Sequence, residues 1–181
     1  MVEQHAKGRP VVLLVQDEAR FGRINIPART WAPAKHRPIV PRQVVRQAVY
    51  AYAAVRPENG CITAMICDHA NTEMMNVFLG AVAEEYAQNL VIMQVDGAAW
   101  HKSKGLVIPE NIHFIIQPPY SPELNAVEHL WDEIREKYFH NLLFESIKMV
   151  EETLEIAFRQ LQEVPEKIKR MTEFPFLKIT L

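Results

Sequence analysis

Long apolar runs and cysteines are both scarce in this sequence of 181 residues. No apolar run approaches the roughly 20 residues that a membrane-spanning helix needs, and the polar segment Met1 to Pro10 has no apolar stretch typical of a secretory signal. The two cysteines, Cys61 and Cys67, are too few for a disulfide framework. These absences argue against a membrane protein and a small secreted scaffold, and they favour reduced thiols in a cytoplasmic protein.

Several catalytic and metal-binding signatures are also missing from the sequence. There is no glycine-rich Walker loop for nucleotide phosphates and no Gly-x-Ser-x-Gly element of a serine hydrolase. The seven histidines are scattered, and none has the Cys/His spacing of a zinc site. The sequence therefore gives no support to a P-loop nucleotidase, an α/β-hydrolase or a structural zinc protein.

The charge is distributed unevenly, although the net charge is only −2. Residues 1–60 carry ten Lys and Arg against four Asp and Glu, whereas residues 61–181 carry ten against eighteen. Many of the basic side chains fall in one short stretch, namely Arg20, Arg23, Arg29, Lys35, Arg37, Arg42 and Arg46. Such a block can neutralise DNA phosphates. Taken alone, however, it is equally typical of a solvated loop with scattered charges.

Apolar residues make up 49% of the chain, which is enough to bury the core of a domain. Their spacing predicts elements in the order β-β-β(-β)-α-β-(α)-β-α-α. The predicted strands are Pro10–Asp17, Arg29–Ala32, Gln43–Val55, Cys61–Asp68, Leu90–Asp96 and Asn111–Gln117. The predicted helices are Asn71–Asn89, Ala99–Lys104, Glu123 or Asn125 to Phe139, Phe144–Gln162 and a short one after Pro165. Early hairpin strands followed by β/α units predict an α/β fold, a ribonuclease-H-like mixed sheet of antiparallel and parallel strands flanked by helices.

Three acids stand in marked positions of this pattern. Asp17 and Asp96 each follow an apolar run, and the carboxyl ends of neighbouring strands meet at one sheet edge, where ligands bind. Glu128 falls near the first turn of a predicted helix, at the edge of an apolar stripe of Val127, Leu130, Trp131 and Ile134. Carboxylates close together repel unless a cation lies between them. The pattern predicts a divalent-metal site, although any single acid of this kind is more often a turn residue.

Three blocks of sequence surround these acids: QDEARF at Gln16–Phe21, VDGAAWH at Val95–His101 and PPYSPELNAVEHLW at Pro118–Trp131. Together with Thr30-Trp31 and the basic loop after it, they resemble the IS630/Tc1/mariner superfamily of DDE transposases, and the IS630 branch most closely. The resemblance runs from about Val11 to Tyr138. Its third block is the most specific of the three.

The resemblance implies a catalytic domain in which Asp17, Asp96 and Glu128 hold two divalent ions, with Asp17 bridging them. Mg²⁺ or Mn²⁺ suits such oxygen-only ligands. The implied reactions are hydrolytic cleavage of DNA at element ends and strand transfer into target DNA, with a homodimer assembled on paired ends. Ala126 stands where the family often has proline, which should loosen the helix entry slightly.

Family members also carry helix-turn-helix DNA-binding modules before the catalytic domain, and only ten polar residues precede Val11. We therefore expect residues 1–181 to be a single catalytic domain without that module. Its core is expected at about 11–140 and a helical extension at about 144–181. The apolar side of the last long helix is expected to pack on the domain, or on a neighbouring protomer.

Side chains beside the three blocks are candidate DNA contacts or supports for the acids. Arg20 and Arg23 are candidate contacts to the DNA backbone. His101 and Lys102 could contact phosphate or support the metal ligands, and the alternative for both is a surface turn. Asn125 is predicted to cap the helix beside the site and is a further candidate DNA contact.

Three neighbours of these residues have simpler predicted roles. Glu18 should point to the opposite face of its strand from Asp17 and pair with Arg20 or Arg23. Trp100 and Trp131 are predicted to be core residues rather than platforms for stacked bases.

Two other functions remain open at this point. One is a different nuclease on the same fold, such as a ribonuclease H, and the Pro-Pro-Tyr-Ser-Pro segment argues against it. The other is a domesticated or truncated remnant that binds DNA or a partner without cutting, and the presence of all three acids argues against decay.

Overall fold

The computed structural model of the protein describes residues 8–119, 121 and 124–177, and five strands within them form one sheet. The strands are β1 (Val11–Ile24), β2 (Val44–Arg56), β3 (Cys61–Cys67), β4 (Leu90–Val95) and β5 (Ile112–Ile116). Their order across the sheet is β3-β2-β1-β4-β5. The pairs β1–β2 and β2–β3 are antiparallel, whereas β1–β4 and β4–β5 are parallel. The predicted mixed sheet is therefore confirmed.

Four α-helices among the described residues accompany the sheet. They are α1 (Thr72–Glu85), α2 (Val127–Ile134), α3 (Ile147–Gln162) and α4 (Pro165–Thr172). A π-helical turn continues α2 over Arg135–Phe139, and 3-10 turns cover Ala99–Lys102 and Pro175–Leu177. Asn71 caps α1 and Ser146 caps α3, each by accepting a hydrogen bond from a backbone N–H of the first turn. No helix among the described residues is both long enough and apolar enough to cross a bilayer.

The sheet has an apolar layer on each face. Val15, Ala19 and Phe21 of β1 pack with α2, α3 and α4, whereas Val12 and Leu14 of the same strand pack with α1. The buried side of α3, which consists of Val150, Leu154, Ala157, Phe158 and Leu161, packs on the first of these layers. Because side chains alternate along a strand, consecutive residues of β1 point into different layers. This alternation decides where the acids of β1 lie.

β1 is longer than the sequence predicted. It runs on to Ile24 because β2 pairs with it through that residue, so the prediction that Asp17 ends the strand is wrong. The parallel partner β4, however, pairs only with Val11–Val15. Asp17 therefore lies inside β1, just beyond the point at which β4 stops pairing with it. This is the carboxyl-terminal end of the parallel strands, where the metal site is predicted.

The predicted strand Arg29–Ala32 is absent from the structure. Residues 25–43 have no regular strand or helix, and the side chain of Trp31 is fully exposed. Pro27 and Pro33 flank the segment, and proline cannot donate to a strand ladder. Hydrogen bonds between Asn25 and Gln43 close the base of this loop.

Most other predicted elements are found within a few residues of their expected bounds. The helix expected from Glu123 or Asn125 begins at Val127, and the one expected to reach Asn89 ends at Glu85. Within the Pro-Pro-Tyr-Ser-Pro segment and the residue after it, Tyr120, Pro122 and Glu123 lie outside the described residues.

Gly60 joins the β2–β3 hairpin to the start of α4, and it offers a test of this packing. Its φ is +74°, and a Cβ added there would lie 1.9 Å from the carbonyl oxygen of Pro165. We expect Gly60→Ala to lower the free energy of unfolding by about 2–3 kcal/mol, because both the backbone and the contact are incompatible with a side chain. Denaturant unfolding measures the change.

Gly80, on the exposed side of α1, provides the matched control. A Cβ added there meets nothing within 4 Å, so Gly80→Ala should stabilise the protein by up to about 1 kcal/mol through helix propensity. Equal stability of the two variants would contradict the described contact between the hairpin and α4.

Candidate metal centre

Asp17 lies in the layer between the sheet and α2. It is 8% exposed, and its Oδ2 accepts a hydrogen bond from Nε1 of Trp131 at 3.0 Å. Trp131 is itself buried in α2, where its ring lies edge-on to Phe21 and Phe158. Two aromatic neighbours and the hydrogen bond therefore fix the indole, and the indole fixes one oxygen of Asp17.

The electrostatic setting of Asp17 is unfavourable for a lone carboxylate. Burial, together with the nearby carboxylate of Glu128, raises the pKa of Asp17 from 3.8 to about 7, although the hydrogen bond from Trp131 acts in the opposite direction. Glu128 is half-buried in the first turn of α2. Glu128 is thus close enough to Asp17 to affect the pKa of its carboxyl, and two like charges in such a setting favour a cation between them.

Asp96 follows β4 on the strand beside Asp17. The last registered pair of β1 and β4 is Val15 with Gln94, and each acid comes two residues later on its strand. Adjacent strands lie about 4.8 Å apart. The two acids thus leave the parallel pairing at the same level, on neighbouring strands.

The carboxylate of Asp96 is 43% exposed and is held through one oxygen. Its Oδ1 accepts a hydrogen bond from the backbone N–H of Ala98 at 2.9 Å and lies 2.9 Å from Nδ1 of His101. The bond from His101, aided by Ala98 and by the ammonium of Lys102, holds the pKa of Asp96 below its usual range despite partial burial. Asp96 is therefore an ionised carboxylate whose Oδ2 is available for coordination.

A second group of side chains meets on the α1 face of the sheet. Ligand atoms of Glu18, Asp96 and His101 lie within 4.8 Å of one another. The four acids of this region thus form two groups: Asp17 with Glu128 on one face of β1, and Glu18 with Asp96 through His101 on the other. Asp96 comes directly after the end of β4, so strand alternation does not fix its side chain, which contacts His101.

The predicted partners of Glu18 are wrong. Its Oε1 accepts a hydrogen bond from Nε1 of Trp100 at 3.0 Å and lies 3.4 Å from Nε2 of His101, rather than pairing with an arginine. The cause is the strand alternation, which turns Glu18 toward the α1 layer. Arg20 is exposed, and Arg23 donates to the carbonyl oxygen of Phe144 at 2.8 Å and to Gln47.

The candidate DNA contacts differ in their accessibility. Arg20 and Lys102 are exposed, whereas His101 and Asn125 are each 5% exposed. The Oδ1 of Asn125 accepts a hydrogen bond from the backbone N–H of Val127 at 3.1 Å, so its side chain stabilises the start of α2. Burial favours supporting roles for His101 and Asn125, and exposure leaves Arg20 and Lys102 as the residues better placed to meet a phosphate.

Sequence reasoning missed that both tryptophans donate hydrogen bonds to acids. Trp131 and Trp100 were expected only as core residues, yet each places its Nε1 on a carboxylate of β1. The available signal was their position, because each lies three or four residues after a predicted metal ligand. A buried indole also needs an acceptor for its N–H.

Replacing Trp131 by Phe should weaken metal binding without destroying the fold. The substitution keeps an aromatic ring between Phe21 and Phe158 but removes the donor to Asp17. We expect the dissociation constant for Mn²⁺ to rise about 10–100-fold, as for other residues that orient metal ligands. A Mn²⁺ binding titration of the protein measures the change.

Phe158→Leu is the matched control for the loss of packing. Phe158 contacts the same indole from α3 but makes no hydrogen bond to an acid. Its replacement should destabilise the protein by about 1 kcal/mol or more and leave the Mn²⁺ affinity unchanged. An equal loss of Mn²⁺ affinity in both variants would show that packing of the indole, rather than its hydrogen bond, positions Asp17.

Comparison with known proteins gives a consistent set of relatives. Residues 12–151 match the family described as "DDE superfamily endonuclease". "Uncharacterized protein y4pE/y4sA" of Sinorhizobium fredii (strain NBRC 101917 / NGR234) is 29% identical over 120 residues, which cover 66% of this chain and 89% of that protein.

Solved structures with a similar fold include two of Mos1. The pre-cleavage Mos1 transpososome has a TM-score of 0.62, and the Mos1 mariner paired end complex with Mn has a TM-score of 0.59. Each is 14% identical, with 90% of this chain and 56% of that chain covered. This chain thus spans little more than half the length of the Mos1 chains. At this identity the likeness concerns the fold, and it confirms the predicted ribonuclease-H-like class.

Proposed function

Because the chain belongs to the DDE superfamily endonuclease family, we propose that it is the catalytic domain of an IS630-like transposase. In this proposal it cleaves DNA strands and joins them to target DNA, using divalent metal held by Asp17, Asp96 and Glu128. The observation that carries the proposal is the setting of Asp17: a buried carboxylate beside a second carboxylate, with its pKa raised to about 7. Such a pair is expected where a cation completes the site.

The donor set fits a hard divalent cation. The three proposed ligands are all carboxylates, and such oxygen-only sites suit Mg²⁺ or Mn²⁺. Trp131 occupies one oxygen of Asp17, and Ala98 with His101 occupies one oxygen of Asp96, so each acid presents its other oxygen. The similarity in fold to the Mos1 mariner paired end complex with Mn supports the same class of metal.

The chain's own residues perform three tasks in this mechanism. Asp17 and Asp96 provide fixed charge on adjacent strands, and Glu128 adds a third carboxylate from the first turn of α2. Two divalent ions bound by them would activate the attacking water or DNA 3′-hydroxyl and stabilise the leaving oxygen. The indole of Trp131 and the imidazole of His101 keep the carboxylates from rotating, which preserves the geometry that phosphoryl transfer requires.

The proposed substrate is the DNA backbone at element ends and at a target site. Lys102 and Arg20 are exposed basic residues close in sequence to Asp96 and Asp17, and they are the proposed phosphate contacts. The basic loop of residues 25–43 adds further positive charge. In the active complex we propose two protomers on paired DNA ends, acting in a prokaryotic cytoplasm on chromosomal or plasmid DNA. Residues 1–181 are proposed to form one catalytic domain.

Conversion of supercoiled plasmid to nicked circles by the wild-type chain tests this function. A plasmid substrate does not require knowledge of the element ends. We expect nicked product with Mn²⁺ or Mg²⁺ and none with EDTA. Gel electrophoresis separates the two forms.

The alternatives give different results in the same experiment. A ribonuclease H would degrade the RNA strand of an RNA–DNA hybrid and leave the plasmid intact. A non-catalytic remnant would shift DNA in a binding assay at every metal concentration without nicking it. Either pattern would contradict the transposase proposal.

A further inference from the structure

Glu18 is a buried acid that is not one of the three proposed metal ligands. Its side chain is 5% exposed and points to the α1 face of the sheet, opposite to its neighbour Asp17. Its Oε1 accepts a hydrogen bond from Nε1 of Trp100. An ionised carboxylate is costly to bury unless it is paired, so its partners indicate its role.

His101 connects Glu18 to Asp96. The imidazole is fully buried, with Nδ1 3.1 Å from the backbone carbonyl oxygen and 2.9 Å from Oδ1 of Asp96, and Nε2 3.4 Å from Oε1 of Glu18. Trp100 and Phe114 lie edge-on to its ring on either side. The ring therefore has one orientation in which its two nitrogens face two different carboxylates.

One ligand atom each from Glu18, Asp96 and His101 lie within 4.8 Å of one another, which is close enough for a separate cation site. Nδ1 is committed to Asp96, and Nε2, which is buried without a hydrogen-bond partner among the described residues, faces Oε1 of Glu18 at 3.4 Å. A cation coordinated by Nε2 would have to separate the imidazole from Glu18. A contact from Glu18 through His101 to Asp96 is therefore the simpler interpretation of the three groups.

We propose that Glu18 is a positioning residue for Asp96 and acts through His101. Glu18, which accepts a hydrogen bond from Trp100, faces Nε2 of the imidazole, and Nδ1 contacts both the backbone carbonyl oxygen and Oδ1 of Asp96. The backbone N–H of Ala98 contacts the same oxygen, so Oδ2 is presented in a single direction. This inference rests on the proposed function, because it assumes that Asp96 is a metal ligand.

Direct measurement of Mn²⁺ binding to the DNA-free protein tests the proposal. Free Mn²⁺ is quantified by electron paramagnetic resonance for wild type, Glu18→Ala, His101→Ala and the double variant. We expect each single substitution to weaken Mn²⁺ binding about 10–100-fold. Because Glu18 acts only through His101, the double variant should bind no more weakly than His101→Ala.

Two further variants separate positioning from loss of the fold. Glu18→Gln keeps an oxygen that Trp100 and the imidazole can both face but loses the negative charge, so its Mn²⁺ affinity should lie between wild type and Glu18→Ala. Glu73→Gln, which changes an exposed acid in the first turn of α1, should leave Mn²⁺ binding unchanged. A Glu18→Gln affinity equal to that of Glu18→Ala would overturn the positioning role.

The remaining outcomes distinguish this inference from the proposed function. Fully additive effects of Glu18→Ala and His101→Ala would overturn the coupling, as would a ¹⁴N signal showing an imidazole nitrogen bound directly to Mn²⁺. If Asp96→Asn weakens Mn²⁺ binding and Glu18→Ala does not, the inference fails alone. If Asp96→Asn has no effect on Mn²⁺ binding, the proposed function fails, and the inference fails with it.

Discussion

Replacing Asp96 by Asn is expected to abolish metal-dependent DNA nicking while the fold survives. Asn has the shape of Asp and keeps an oxygen for the N–H of Ala98 and the imidazole of His101. It loses the negative charge that a divalent cation requires. We expect the rate to fall by about 10³-fold or more, since metal-ion catalysis contributes several kcal/mol of transition-state stabilisation.

The measurement is the initial rate of plasmid nicking at saturating Mn²⁺, together with the thermal midpoint of unfolding. Asp68→Asn is the matched control, because Asp68 also follows a strand directly but is exposed and lies after β3. It should retain full activity. Wild-type nicking by Asp96→Asn would remove Asp96 from the site and contradict the three-acid assignment.

Replacing Asp17 by Asn is expected to have two large effects of opposite kind. Activity should fall by about 10³-fold or more, because the proposed bridging ligand loses its charge. The metal-free protein should become more stable at pH 8, since the substitution removes a buried charge. The oxygen of Asn can still accept the hydrogen bond from Trp131, so the packing of α2 is preserved.

The sign of the stability effect follows from the raised pKa of Asp17. A carboxyl whose pKa is about 7 in the folded protein and 3.8 unfolded binds its proton more tightly when folded. Its stabilising contribution is complete below about pH 4 and is lost as the pH rises through 7. Asp17→Asn should thus match wild type near pH 4 and exceed it by up to about 4 kcal/mol above pH 7.

Denaturant unfolding in EDTA at pH 4, 6 and 8 measures this difference. Asp132→Asn is the control, because Asp132 lies on α2 but is exposed and makes only a surface ion pair with Arg135. Its effect should stay within about 0.5 kcal/mol at each pH. Mn²⁺ should restore the stability of wild type at pH 8 and leave Asp17→Asn unchanged. A stability difference between Asp17→Asn and wild type that is the same at pH 4 and pH 8 would contradict the raised pKa.

Much of the fold could be predicted because local pattern and tertiary structure agree. The apolar runs of β1, β2, β3, β4 and β5 and the capped start of α1 at Asn71 are visible in the sequence. The mixed sheet follows from the change from adjacent strands to alternating strands and helices. Asn71 is visible because a side-chain oxygen before a helical apolar pattern satisfies an unpaired backbone N–H.

The predictions of strand bounds that proved wrong failed because the outcome depends on tertiary structure. The extension of β1 beyond Asp17 depends on pairing with β2, which lies 20 residues further along the chain and leaves no local signal. Arg29–Ala32 has strand-like residues, but no neighbouring strand pairs with it in the described structure and prolines flank it. Propensity alone could not show that Trp31 would be exposed.

In the candidate site, too, some features could be predicted from the local sequence and others depend on tertiary structure. The sequence predicted Asp17, Asp96 and Glu128 near the carboxyl ends of the parallel strands. The structure has Glu128 near Asp17 and Asp96 after the adjacent strand, but it groups Asp96 with Glu18 and His101 rather than with Asp17 and Glu128. The partner of Glu18 could not be predicted, because it depends on the 3-10 turn Ala99–Lys102 folding back over the α1 face. Strand alternation predicts that Glu18 faces away from Asp17, but not which residues it meets there.

The location of Mn²⁺ in crystals of the protein tests the central claim most directly. Anomalous scattering from Mn²⁺ identifies the ion independently of its surroundings. We predict a peak whose protein ligands are carboxylate oxygens of Asp17 and of at least one of Asp96 and Glu128. A peak coordinated instead by Glu18 and an imidazole nitrogen of His101, with Asp17 unliganded, would contradict the account.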